Sequence, residues 1–197
     1  YLQQKFSLFR HTPRFLDRLL DRPGLLNWVS RKSSMNNARE LGELALATLR
    51  GEEGTLRKEI LRLSTWLRDE YKPDLIQLTN SMFTGMVHQI KADLNVPILC
   101  AMQGEDIFLE GLPEPYKTQT LELLRARANE IDGFIATSQY YADFMAQYLK
   151  IAPEKIHIVK LGISTEGHGQ NDSRPERNEF TIGYLARICP EKGLHHL

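Results

Sequence analysis

Cysteine is scarce, with two in 197 residues: Cys100 within an apolar run and Cys189 beside a proline. Neither a C-x-x-C spacing nor the density of a disulfide-stapled secreted domain is present, which favours a reducing compartment and a cytoplasmic protein. An excess of either charge is lacking too, because Lys plus Arg and Asp plus Glu both total 25. Without a global basic field, no nucleic-acid partner is expected. No apolar run approaches the roughly 18 residues of a membrane-spanning helix, and the opening Tyr1-Leu2-Gln3-Gln4-Lys5 is not a signal peptide. A soluble protein is expected, with peripheral membrane contact left open. Several catalytic signatures are also missing. There is no Walker A sequence and no G-x-S-x-G elbow. Gly167-His168-Gly169 starts like a dinucleotide fingerprint but lacks the third glycine and lies in a linker. His195-His196 has no second ligand cluster, so no metal site is expected. The chain opens without Met and stops at Leu197 just as a helix begins, which reads as an excised piece of a longer protein.

What is present is 42% hydrophobic residues, enough for one substantial α/β core or a domain and a fragment. The early part is helix-rich. Phe15, Leu16, Leu19 and Leu20 make a short amphipathic stretch ended by Pro23-Gly24. Asn37 and Glu40 have the form of a capping box ahead of Ala38, Leu41 and Ala45. The stripe Leu56, Ile60, Leu63, Leu67 and Tyr71 predicts a longer helix that Pro73 ends. From Asp74 short apolar runs alternate with amphipathic stretches, the pattern of successive βαβ units in a parallel sheet. Predicted strands are Leu75 to Thr79, Pro97 to Met102, Gly133 to Thr137 and Ile156 to Lys160. Between them, predicted helices turn inward Phe83, Val87, Ile90 and Leu94, then Tyr116, Thr120, Leu123, Arg127 and Ile131, then Tyr141, Phe144, Met145 and Tyr148. Residues 164–179 have linker composition, and Phe180 to Leu185 reads as one more strand. The expected organisation is a Rossmann-like α/β domain over 1–163, a linker over 164–179, and the start of a second domain over 180–197. A lone strand at Phe180 to Leu185 would be disordered or pair with another copy.

In a parallel sheet the carboxyl ends of all strands share one edge, and loops distant in sequence converge there. Those loops are Thr79-Asn80-Ser81, Gln103-Gly104-Glu105-Asp106, Thr137-Ser138 and Leu161-Gly162-Ile163. Gly104 lets a ligand approach the backbone, while Gln103, Glu105 and Asp106 can bind sugar hydroxyls, with either carboxylate able instead to cap the turn that follows. Asp106 suits a cap for the next turn. Ser138 suits both a helix cap and a phosphate contact, alongside Thr137. Single turns also use Gly, Ser, Asn and Asp for backbone reasons alone, so the convergence carries the weight. After the last predicted strand, Arg187 and Lys192 stand five residues apart in Arg187-Ile188-Cys189-Pro190-Glu191-Lys192-Gly193. Such a loop suits a diphosphate, although solvated turn residues would look the same. Cys100, mid-strand, reads as an inert core thiol, and no catalytic residue is assigned.

In order, Gln103-Gly104-Glu105-Asp106, Ile135-Ala136-Thr137-Ser138, Ile156 through Ile163, and Ile182-Gly183-Tyr184-Leu185-Ala186-Arg187 through Glu191-Lys192-Gly193 resemble the group 1 glycosyltransferases, family 4 of the retaining enzymes with the GT-B fold. The resemblance covers Lys72 to Leu197. It matches residues 1–71 only as the variable, acceptor-facing helical part of the first domain, whose first strands and glycine-rich loop would be absent. It implies a two-domain enzyme that transfers a sugar from a nucleotide-diphosphate sugar to a sugar or lipid-linked acceptor, with retention and without metal or cofactor. Arg187 and Lys192 match the pair that grips the donor diphosphate, next to Gly193. Gln103 stands where many members carry His, which leaves hydrogen bonding in place of imidazole chemistry. Ser164 stands where many carry Asp, and no role passes to it. The family's paired-glutamate motif would lie beyond Leu197, so the chain alone is expected to be inactive. Competing readings are another GT-B nucleotide-sugar enzyme, such as an epimerase or phosphorylase, and a non-catalytic sugar- or nucleotide-binding module.

Overall fold

The computed structural model describes residues 37–167 and 179–197. The amphipathic stretch around Phe15, the Gly167-His168-Gly169 run beyond its first residue, and most of the linker lie outside them. The chain divides into two compact units that meet between Leu161 and Gly162. In the first unit α1 (Ala38–Leu49) and α2 (Arg57–Trp66) precede β1 (Ile76–Leu78). A 3-10 segment (Ser81–Met86) then runs into α3 (Val87–Asp93). After these come β2 (Ile98–Ala101), α4 (Glu105–Glu110), α5 (Tyr116–Ala128), β3 (Gly133–Ala136), α6 (Gln139–Leu149) and β4 (Ile156–Ile158).

The four strands form a parallel sheet in the order β1-β2-β3-β4, with helices flanking it, a Rossmann-like α/β arrangement. Leu78 pairs with Cys100, Cys100 with Phe134 and Ala136 with Ile158, so the strand ends stay level across the sheet. The inner strands β2 and β3 are almost wholly buried, as their near-continuous apolar sequence requires when helices cover a sheet. Ile98, Cys100, Phe134 and Ala136 meet Val87, Ile90, Leu124, Ile131, Met145 and Leu149 in one core. Asn37 caps α1 by accepting from Arg39 N–H at 3.1 Å. Close approach decides how α1 sits. A Cβ added to Gly85, in the 3-10 segment, would lie 2.0 Å from the Thr48 carbonyl oxygen.

Polar ties fasten the sheet at the edge opposite the strand tips. Asp132 accepts from Ile98 N–H at 2.8 Å and from Lys91 Nζ at 2.7 Å, joining β3 to β2 and α3. Lys155 Nζ donates to the Ile131 carbonyl at 2.8 Å, closing the end of the α5 connection.

Several expectations need correction. α2 buries Ile60 and Ser64, while Leu63 and Tyr71 face outward. Ser64 turns inward because its hydroxyl donates to Asp93 at 2.6 Å, and Tyr71 instead stacks on Trp66 at 5.2 Å between ring centroids. Phe83 and Phe144 are more exposed than their stripes implied, and the inward face of α6 is Ala142, Met145 and Leu149. Phe180 to Leu185 forms no strand: Phe180, Ile182 and Leu185 are exposed coil. A strand exists only through a hydrogen-bonded neighbour, and none is supplied to this segment among the described residues.

Candidate functional site

Because β1, β2 and β3 are parallel neighbours, their following loops lie side by side at one edge. Asn80 follows β1 and caps the 3-10 segment, its Oδ1 accepting from Met82 N–H at 3.1 Å. That bond leaves the Nδ2 donor for a ligand. Gln103 follows β2 with its side chain exposed. Gly104 has φ +90, a left-handed conformation that a side chain disfavours, and a Cβ there would meet nothing within 4 Å. Backbone conformation, rather than crowding, therefore calls for glycine at this point. Thr137 and Ser138 follow β3, both exposed, and Ser138 Oγ accepts from Tyr141 N–H at 3.2 Å, so the capping role is filled. Gly162 opens the second unit, exposed and with open space around it.

Glu105 departs from the picture of a rim carboxylate. It is 6% exposed, and its two oxygens accept from Ser81 N–H at 2.8 Å and Gln103 N–H at 2.7 Å. It lies beneath the rim, tying the β1 and β2 loops together. Asp106 is not a cap either: it sits in the first turn of α4 and accepts from the Tyr141 hydroxyl at 2.8 Å. That hydroxyl also accepts from Gly104 N–H at 2.7 Å. Burial first, then the bond to Asp106 and the nearby carboxylates, push the Tyr141 pKa well above the ordinary phenol range. Tyr148, two turns on, repeats the pairing by donating to Glu110 at 2.9 Å. Sequence periodicity found both tyrosines as packing residues and missed their hydroxyls. Asp106 and Glu110 share one face of α4 and Tyr141 and Tyr148 one face of α6, but no signal in either segment says that these faces meet.

In the second unit, Arg187 and Lys192 are exposed on the loop that carries the two 3-10 turns Pro190–Lys192 and Leu194–His196. These turns stand where a regular helix was expected. Cys189 is the residue before the first turn, and Gly193 separates the two in a left-handed conformation, φ +70. The Tyr184 hydroxyl donates to the Arg187 carbonyl at 3.1 Å, bracing the loop from within. Glu191 shares it, its pKa held below the ordinary range by its own backbone amide and Cys189, with Arg187 and Lys192 assisting. An apolar recess of about 540 Å³ lies alongside, lined by Ile188, Cys189, Pro190, Leu194 and His195.

Among the described residues, no group of three or more His, Cys, Asp and Glu is placed to hold a metal ion. No helix among them is long and apolar enough to cross a membrane. The family described as Glycosyltransferase Family 4 matches residues 11–166, which spans the sheet and its loops and stops before Arg187. No curated protein matches the chain. With four parallel strands under that match, the chain belongs to glycosyltransferase family 4.

Proposed function

We propose that this chain provides the acceptor-facing domain of a retaining glycosyltransferase that moves a sugar from a nucleotide-diphosphate sugar to an acceptor hydroxyl. The observation that carries the reading is the gathering of Asn80, Gln103, Gly104, Thr137 and Ser138 at one edge of a parallel sheet within a glycosyltransferase family 4 match. Amide and hydroxyl groups on a rigid sheet edge suit the hydroxyls of a sugar or lipid-linked acceptor. Glu105 acts from below that rim, and Gly162, within the family-like run Ile156 through Ile163, is a further substrate-binding position. Arg187 and Lys192, with the backbone at Gly193, hold the donor diphosphate, a role supported by their match to the family's cationic pair. In this reaction the bond between the sugar and the diphosphate breaks as the acceptor hydroxyl attacks from the same face and forms the new glycosidic bond, its proton passing to the departing diphosphate oxygen. The two cations favour departure by stabilising charge that develops on the leaving diphosphate. No metal or cofactor enters the proposal, and the working compartment is the cytoplasm, at the membrane surface where the acceptor is lipid-linked. In the isolated chain, the exposed apolar segment 180–185 is a site for self-association.

The test is sugar transfer by the full-length protein with labelled UDP-glucose, UDP-N-acetylglucosamine and GDP-mannose against a set of methyl glycosides, with the product anomer read by NMR. Transfer with the donor's configuration retained, undiminished by EDTA, is expected. An inverted product, epimerised donor without transfer, or phosphorolysis would overturn the proposal.

A further inference from the structure

Two loops far apart in sequence aim backbone donors at the same carboxylate. Ser81 N–H after β1 reaches Glu105 Oε1 at 2.8 Å, and Gln103 N–H after β2 reaches Oε2 at 2.7 Å. Both donors lie beyond the strands, where the ladder offers them no carbonyl. A carboxylate fits this pair because it presents two acceptors, whereas an amide of the same shape would set its NH₂ against one of the N–H groups. Glu105 is nearly inaccessible, so an unmatched donor there would carry the full cost of desolvation.

Tyr141 completes the arrangement from a third direction. Its hydroxyl accepts from Gly104 N–H at 2.7 Å and donates to Asp106 Oδ1 at 2.8 Å, with Glu105 Oε2 at 3.4 Å. The same residue's backbone N–H is the donor to Ser138 Oγ at the tip of β3. Gln103 is thereby held through its own amide and that of the next residue, while its side chain stays exposed and free to meet a ligand. Three strand tips are fixed to one another by side chains that do not themselves stand on the rim.

We propose that Glu105 and Tyr141 are positioning residues that set the acceptor-facing rim, with Gln103 as the group they aim. The proposal rests on the functional reading above, and it adds that rim geometry depends on this buried network rather than on the ladder alone. The experiment uses the full-length protein and the variants Glu105→Gln and Tyr141→Phe. The first readout is amide hydrogen exchange without ligand. Exchange at Ser81 or Gln103 should quicken by about tenfold or more in Glu105→Gln, and at Gly104 in Tyr141→Phe, while β2 and β3 core amides keep their protection. The second readout is kinetics with the donor and methyl glycoside pair that the wild type turns over. Acceptor kcat/KM should fall by roughly 2- to 12-fold, up to the loss expected for the Gln103 hydrogen bond itself, with donor KM within about twofold of wild type. Unchanged exchange in both variants would overturn the network. Faster exchange with unaltered acceptor kinetics would overturn the positioning role and leave a purely structural one. A wild-type protein inert with every pair would overturn the functional reading, and the positioning role with it, while the exchange data still decide whether the network is real. Should Glu105→Gln fail to fold, Tyr141→Phe decides alone, because it removes one oxygen and keeps the ring.

Discussion

Burial pushes the Cys100 thiol pKa up to about 12, and the nearby Glu105 charge adds to it. Thiolate is the reactive form, so Cys100 should resist modification while the fold is intact. Cys189 lies half-buried on the second unit's loop. A thiol reagent at pH 8 is expected to modify Cys189 in the native protein and Cys100 only after denaturant is added. Rapid modification of both would contradict the burial of β2. The same scale decides Lys192. Lys192→Ala in the full-length protein should lower kcat/KM by the equivalent of about 1.5–3 kcal/mol, the range for a charge-assisted hydrogen bond. Unchanged turnover and donor affinity would remove the diphosphate role. Cys100 was legible as a core thiol because its neighbours Ile98, Leu99 and Ala101 are apolar. Glu105 and Tyr141 were not legible as partners, because nothing local reveals a bond across 36 residues.

At the level of elements, Asp132 ties β3 to β2 and α3. Burial is the largest influence on it and opposes ionisation, but the Lys91 ammonium and the Ile98 amide together outweigh it, so its pKa lies below the ordinary aspartate range. Asp93 is held low as well, chiefly by the Ser64 hydroxyl and the Gln89 amide. A depressed carboxylate contributes stability that is complete above its unfolded pKa and is lost as pH falls through its folded one. Asp132→Asn should therefore be less stable than wild type near neutral pH, and the gap should close below about pH 4 as the wild-type group protonates. Denaturant titrations at several pH values check this, and a gap that widens in acid would contradict it. Gly85→Ala tests the seat of α1. A methyl group driven toward the Thr48 carbonyl should cost about 1–3 kcal/mol of stability by the same titration, the range for overpacking.

Legibility varied with how far each element depends on its neighbours. β2 and β3 were read from sequence to within a residue or two because a doubly covered strand is apolar along its whole length. β1 and β4 are shorter than predicted, since an edge strand ends where its single partner's ladder ends. The α2 stripe was misread by the turn of Ser64 toward Asp93, a polar contact that hydrophobic spacing cannot encode. Phe180 to Leu185 has strand composition without a strand, because pairing is a property of two segments and composition describes one.

At the scale of the whole molecule, the first unit carries the sheet and most of the family match, and the second carries the cationic loop. The order of chemical groups along the sheet edge was readable because parallel topology alone places them there; the brace beneath it was not. The most direct test of the account is the steady-state kinetics of Gln103→Ala in the full-length protein, with donor and acceptor varied separately. Loss of one neutral hydrogen bond from the rim should raise acceptor KM by roughly 2- to 12-fold, matching about 0.5–1.5 kcal/mol, while donor KM stays unchanged. An unaltered acceptor KM, or a change confined to the donor, would contradict the assignment of this sheet edge to the acceptor.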